Sequence, residues 1–119
     1  MDDTITLYRP VGQQELELIE VSGFKDFPPR LAEQPIFYPV LNEEYATQIA
    51  RDWNARFNDD RIGYVLRFIV RRESTEKYER HIVGGSVHEE YWIPAEDQET
   101  FNQNIIGEIE IINKFEGVE

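Results

Sequence analysis

The stretch Tyr64-Val65-Leu66-Arg67-Phe68-Ile69-Val70 constrains this chain more than any other. Six of its seven side chains are apolar or aromatic, and the polar run Asn58-Asp59-Asp60 and then Gly63 set it off from what precedes. Such a run reads as a strand central in a sheet, and the rest of the chain has to supply its neighbours.

Those neighbours can be read in order. Residues 5–11 are rich in β-branched and aromatic residues and end at Pro10 and Gly12, a first strand. Residues 13–21 carry Leu16 and Ile19 beside a Glu-rich face, a helix stopped by Ser22-Gly23. Residues 24–35 hold three prolines and read as an ordered surface loop pinned by Phe24 and Phe27. Residues 36–41 form a second strand interrupted by Pro39, which cannot donate to a ladder. Asn42 then caps the longest helix, with Glu43 and Glu44 in its first turn and helical apolar spacing through Phe57.

After the central strand, residues 73–80 suggest one or two helical turns. Ile82-Val83 and Gly84-Gly85 lead into a strand at residues 87–93. Pro94 opens a helix whose stripe is Phe101 and Ile105 and whose stop is Gly107. Residues 108–115 form a last strand with Ile109 and Ile111 on one side and Glu108, Glu110 and Ile112 on the other. The expected fold class is α+β: a single domain over residues 1–119, with small helices around a twisted, mostly antiparallel sheet.

Composition narrows the function classes. The 119 residues carry 24 acidic and 12 basic side chains, a formal charge of −12, which works against non-specific nucleic-acid binding. The absence of cysteine removes disulfides, thiolate nucleophiles and cysteine-ligated metal sites, and only His81 and His88 supply imidazole. No run of about 18 apolar residues and no secretory leader is visible, so the expectation is a cytoplasmic protein without a membrane partner.

Chemistry is best sought at His88-Glu89-Glu90-Tyr91-Trp92-Ile93-Pro94. Strand alternation points His88 and Glu90 to one face and Glu89 to the other, and a solvated edge is the other reading of the same spacing. A metal on His88, Glu89 and Glu90 is disfavoured because adjacent strand residues point apart. Ser22, Ser74 and Ser86 lack a nucleophile elbow. Gly84-Gly85 reads as a turn needing positive φ or as an anion nest. There remain Arg9 on the first strand, Tyr38 on the second and Glu90 on a later one.

With Leu7-Tyr8-Arg9, Phe37-Tyr38 before a helix containing Ala46 and Trp53, and His88 to Pro94, the chain resembles the ADP-ribosyltransferase fold. Over nearly all of residues 5–115 it is similar to short bacterial proteins labelled ADP-ribosylation/crystallin. The resemblance implies that Arg9, with Tyr8 beside it, holds the ribose and phosphate of NAD, and that Tyr38 stacks on nicotinamide. It implies that Glu90 bonds the ribose 2′-hydroxyl and stabilises oxocarbenium-like charge, with His88 in the place where many transferases carry Glu or Gln. The implied activity is transfer of ADP-ribose from NAD to an unknown acceptor, which could be a protein, or hydrolysis of NAD. The alternative is a non-catalytic binding or regulatory module on the same fold.

Overall fold

The computed structural model describes residues 3–28, 36–51, 62–76, 78, 80–82 and 89–116. In chain order these form β1 (Thr4–Val11), α1 (Gln13–Val21), β2 (Ile36–Phe37), α2 (Glu43–Ile49), β3 (Ile62–Arg71), β4 (Arg80–Ile82), β5 (Glu89–Tyr91), β6 (Ile93–Pro94), α3 (Gln98–Gln103) and β7 (Ile105–Glu116). Short 3-10 turns lie at Arg72–Ser74 and Ala95–Asp97. Among the described residues every strand pairing is antiparallel, and no helix is long and apolar enough to cross a membrane.

The central role expected of residues 64–70 is met: β3 lies between β1 and β7. Leu66, Phe68 and Val70 face one core and Val65 faces another, which is why the run is apolar on both faces. The larger core packs Leu7 and Val11 of β1 under Leu16 and Ile19 of α1 and Phe101 of α3. Phe27 sits in its middle, its ring centroid 4.9 Å from that of Phe37 and 4.8 Å from that of Phe68. On the opposite face α2 lays Ala46 and Ala50 against Val40 and Val65. Small residues four apart let a helix approach a sheet closely on one face.

The helix ends follow local chemistry. At the end of α1, Gly23 (φ 77°) donates its N–H to Glu20 O at 2.9 Å and Phe24 donates to Ile19 O at 3.0 Å, a left-handed stop closed by two backbone bonds. Asn42 caps α2 by accepting from Tyr45 N at 2.7 Å.

The second strand is fragmented for a reason visible in its sequence. Ile36↔Pro94, Phe37↔Ile93 and Val40↔Glu90 share one register, and Tyr91 N donates to Pro39 O at 3.0 Å and Leu41 N to Glu89 O at 3.0 Å. Residues 36–41 thus run along 89–94 throughout, with Pro39 unable to return a bond. On its other side this segment meets β1 through Val40, which exchanges N–H···O bonds of 2.8 and 2.9 Å with Tyr8. From Arg9 toward Val11 no further backbone bond joins the two segments among the described residues. A seam opens there.

Three expectations need correction. The helix after Pro94 ends at Gln103, so Ile105 opens β7 and does not complete a helical stripe. Gly107, with φ 75°, serves an irregularity in the β3–β7 pairing between Arg67 and Ile69. A second register shift, between Val65 and Leu66, changes the phase of alternation: Ile109 is buried, but Ile111 is exposed and Ile112 packs on the α2 side. The single turn expected at the start of residues 73–80 is present as the 3-10 turn Arg72–Ser74, which begins one residue earlier. The helical spacing beyond Arg51, the Gly84-Gly85 turn and His88 lie outside the described residues.

Candidate functional site

The seam widens into a cleft of about 380 Å³ lined by Arg9, Pro10, Tyr38, Val40, Ile49, Glu90 and Trp92. β1 supplies one wall, the paired segments 36–41 and 89–94 the other, and Ile49 of α2 contributes from above the sheet. Arg9, Tyr38 and Glu90, read from separate parts of the sequence, all border it.

Glu90 is buried, with 8% of its surface exposed. One carboxylate oxygen accepts from the Tyr45 hydroxyl at 3.1 Å and the other from the Trp92 indole N–H at 2.8 Å. Both donors are neutral, and among the described residues no Lys, Arg or His nitrogen forms an ion pair with Glu90. An ionised carboxylate has about four acceptor positions, so two are left for a ligand. Burial, then the charge of Glu90, then the hydrogen bond to it push the Tyr45 phenol up to about 12. Glu89 turns away from the cleft side, as alternation requires, with Arg80 at 3.9 Å.

Arg9 is placed differently from its expected partners. The bridges Tyr8↔Val40↔Glu90 put those three residues on the α2 face, so Arg9, one step along β1, points to the α1 face. Its guanidinium lies 4.6 Å from the Phe37 ring centroid and is gripped by Glu15 of α1, Nε to Oε2 at 2.6 Å and the terminal nitrogen to Oε1 at 2.9 Å. Arg9 borders the cleft at the seam while its charge is matched elsewhere, so the expected convergence of its head group on Glu90 is corrected: the register between strands, which the sequence does not carry, sets the two on opposite faces. Tyr8, expected beside the ligand, packs on the Val40–Val65 cluster.

Three residues that the motif reading did not assign complete the site. Trp92 holds Glu90 and is 42% exposed, and Tyr38, 39% exposed, meets it at 6.0 Å between centroids with planes at 86°. His81, opposite Glu90 in the β4–β5 ladder, stacks on Trp92 at 3.9 Å and 13°. Tyr45 lies in the first turn of α2, where Asn42 caps its N–H, and its hydroxyl reaches Glu90. The available signal for Trp92 was its period-two spacing from Glu90; Tyr45 and His81 depend on tertiary contacts alone.

Compared with known protein families and with the sequences of curated proteins, the chain matches none of them.

Proposed function

We propose that the cleft binds NAD and that the protein acts as an ADP-ribosyltransferase or NAD glycohydrolase on an acceptor still to be identified. The observation that carries the reading is Glu90: a buried carboxylate, fixed by two neutral donors, beside exposed Tyr38 and Trp92 rings. A cleft of about 380 Å³ is at the small end of ligand sites, which span about 300–1,000 Å³, so it would take one end of a dinucleotide. In this reading the nicotinamide ring stacks on the aromatic wall and the adjoining ribose reaches Glu90. The bond from ribose C1′ to the nicotinamide nitrogen breaks with its electron pair leaving on nicotinamide. Positive charge then develops on the ribose, where a preset anion lowers the barrier without reorganising. The acceptor, or water, forms the new bond to C1′ and loses its proton.

The Arg9–Glu15 pair favours a second reading, a non-catalytic binding module on the same scaffold, because the cation expected to grip phosphate is already neutralised. Nicotinamide release separates the two. With Glu90→Gln, shape and hydrogen bonding persist while the anion is lost, so calorimetric NAD binding should survive and release should fall roughly hundredfold to thousandfold. Wild-type protein that binds NAD without cleaving it leaves the module, and protein that does neither removes the NAD reading.

A further inference from the structure

We propose that the Glu90 cleft selects organic monocations, a quaternary ammonium or an N-alkylated pyridinium, over neutral molecules of the same shape. The inference does not require NAD as the ligand. It rests on a charge left unmatched among the described residues: Glu90 is buried, its two hydrogen-bond donors, Tyr45 and Trp92, are neutral, and its register partner His81 stacks on Trp92 without forming an ion pair there. A buried carboxylate of this kind gains from a cation brought by the ligand.

The walls specify which cation. Tyr38 and Trp92 stand with ring planes at 86°, both about 40% exposed, with His81 stacked on Trp92, and Ile49, Val40 and Pro10 add apolar lining. Perpendicular rings with π surface available attract a weakly hydrated cation, whereas a small, strongly hydrated one gains little from apolar walls. Arg9, the cation at the seam, is held by Glu15 and adds no free positive charge to the lining. The whole chain, at −12, raises the local concentration of cations and lowers that of phosphates.

The test is nuclear magnetic resonance titration of the Trp92 indole N–H, which reports on the bond to Glu90 and is assigned by its disappearance in Trp92→Phe. Two matched pairs of probes are used: choline against 3,3-dimethylbutanol, its neutral isostere, and 1-methylnicotinamide against nicotinamide. The cation of at least one pair should bind about tenfold more tightly than its neutral partner, the size expected of a desolvated cation–π contact near a carboxylate. Glu90→Gln should reduce that preference toward unity, and Tyr38→Leu, a change at an exposed ring, should weaken the cation severalfold. A larger effect in the choline pair identifies a compact ammonium as the natural head group; a larger effect in the other identifies a flat ring. Equal binding within both pairs, or no movement of the indole signal with any probe, overturns the proposal. NAD cleavage without cation preference would overturn it and leave the transferase reading intact, and cation preference without NAD binding would do the reverse.

Discussion

Tyr45 contributes a proton-linked piece of stability that can be measured. Its phenol is pushed up to about 12 by burial and by Glu90, against about 10 in an unfolded chain, so the folded protein holds that proton more tightly. This contribution is complete below pH 10 and is lost as pH rises from about 10 to about 12. In urea unfolding, Tyr45→Phe should therefore flatten the fall of stability across that window. A slope identical to wild type would show that the phenol is free of Glu90 in solution. Tyr78, raised by burial and by its hydrogen bond to Asp97 at 2.7 Å, adds a loss of the same sign, so the variant's stability still falls as pH rises. Glu15 offers a second test at the same scale. Glu15→Gln frees much of the Arg9 guanidinium at a cost of about 1–3 kcal/mol from a disturbed, partly buried pair. If Arg9 can grip phosphate, NAD binding should tighten severalfold in this variant. Unchanged affinity with lowered stability would assign Arg9 to the scaffold.

Elements whose information is local were legible, and those set by pairing were not. The first strand, α1 and the Asn42 cap follow from residues within one or two turns of each other, and the structure has them where the pattern put them. The phase of β7 depends on two register irregularities against β3, and nothing in Ile109-Glu110-Ile111-Ile112 announces which isoleucine is skipped. Gly107 was visible as a breaker, but a glycine with positive φ serves a helix stop and a strand irregularity alike. Gly107→Ala tests its actual role. No atom lies within 4 Å of the position a Cβ would take, so the penalty is conformational, about 1–2 kcal/mol, and should appear in denaturant melts without loss of the cleft's binding properties. The site divides in the same way. Arg9, Tyr38 and Glu90 could be picked out because strand ends gather at clefts, but the opposed faces of Arg9 and Glu90 follow from the Tyr8–Val40–Glu90 bridges, which are contacts across 32 and 50 residues of chain.

For the whole molecule, charge and joint architecture matter most. The ion pairs Arg67–Glu110 and Lys114–Glu116 are exposed, at 3.3 and 3.2 Å, and contribute little, so an excess of twelve negative charges is felt mainly as self-repulsion. Raising NaCl from about 10 mM to about 300 mM, which shortens the screening length from about 30 Å to below 10 Å, should raise the melting temperature by a few degrees. A fall would mean that attractive pairs outweigh the repulsion. The other whole-molecule property is mechanical. One plate, β1–β3–β7, and a second, made of residues 36–41 with 89–94 and β4, share, among the described residues, two backbone hydrogen bonds at one residue, Val40. Phe37, Tyr91 and Ile93 of the second plate share one core with Leu7 and Phe68 of the first, so the cleft lies where the backbone join is thinnest and its walls keep their spacing through packed side chains rather than a continuous ladder.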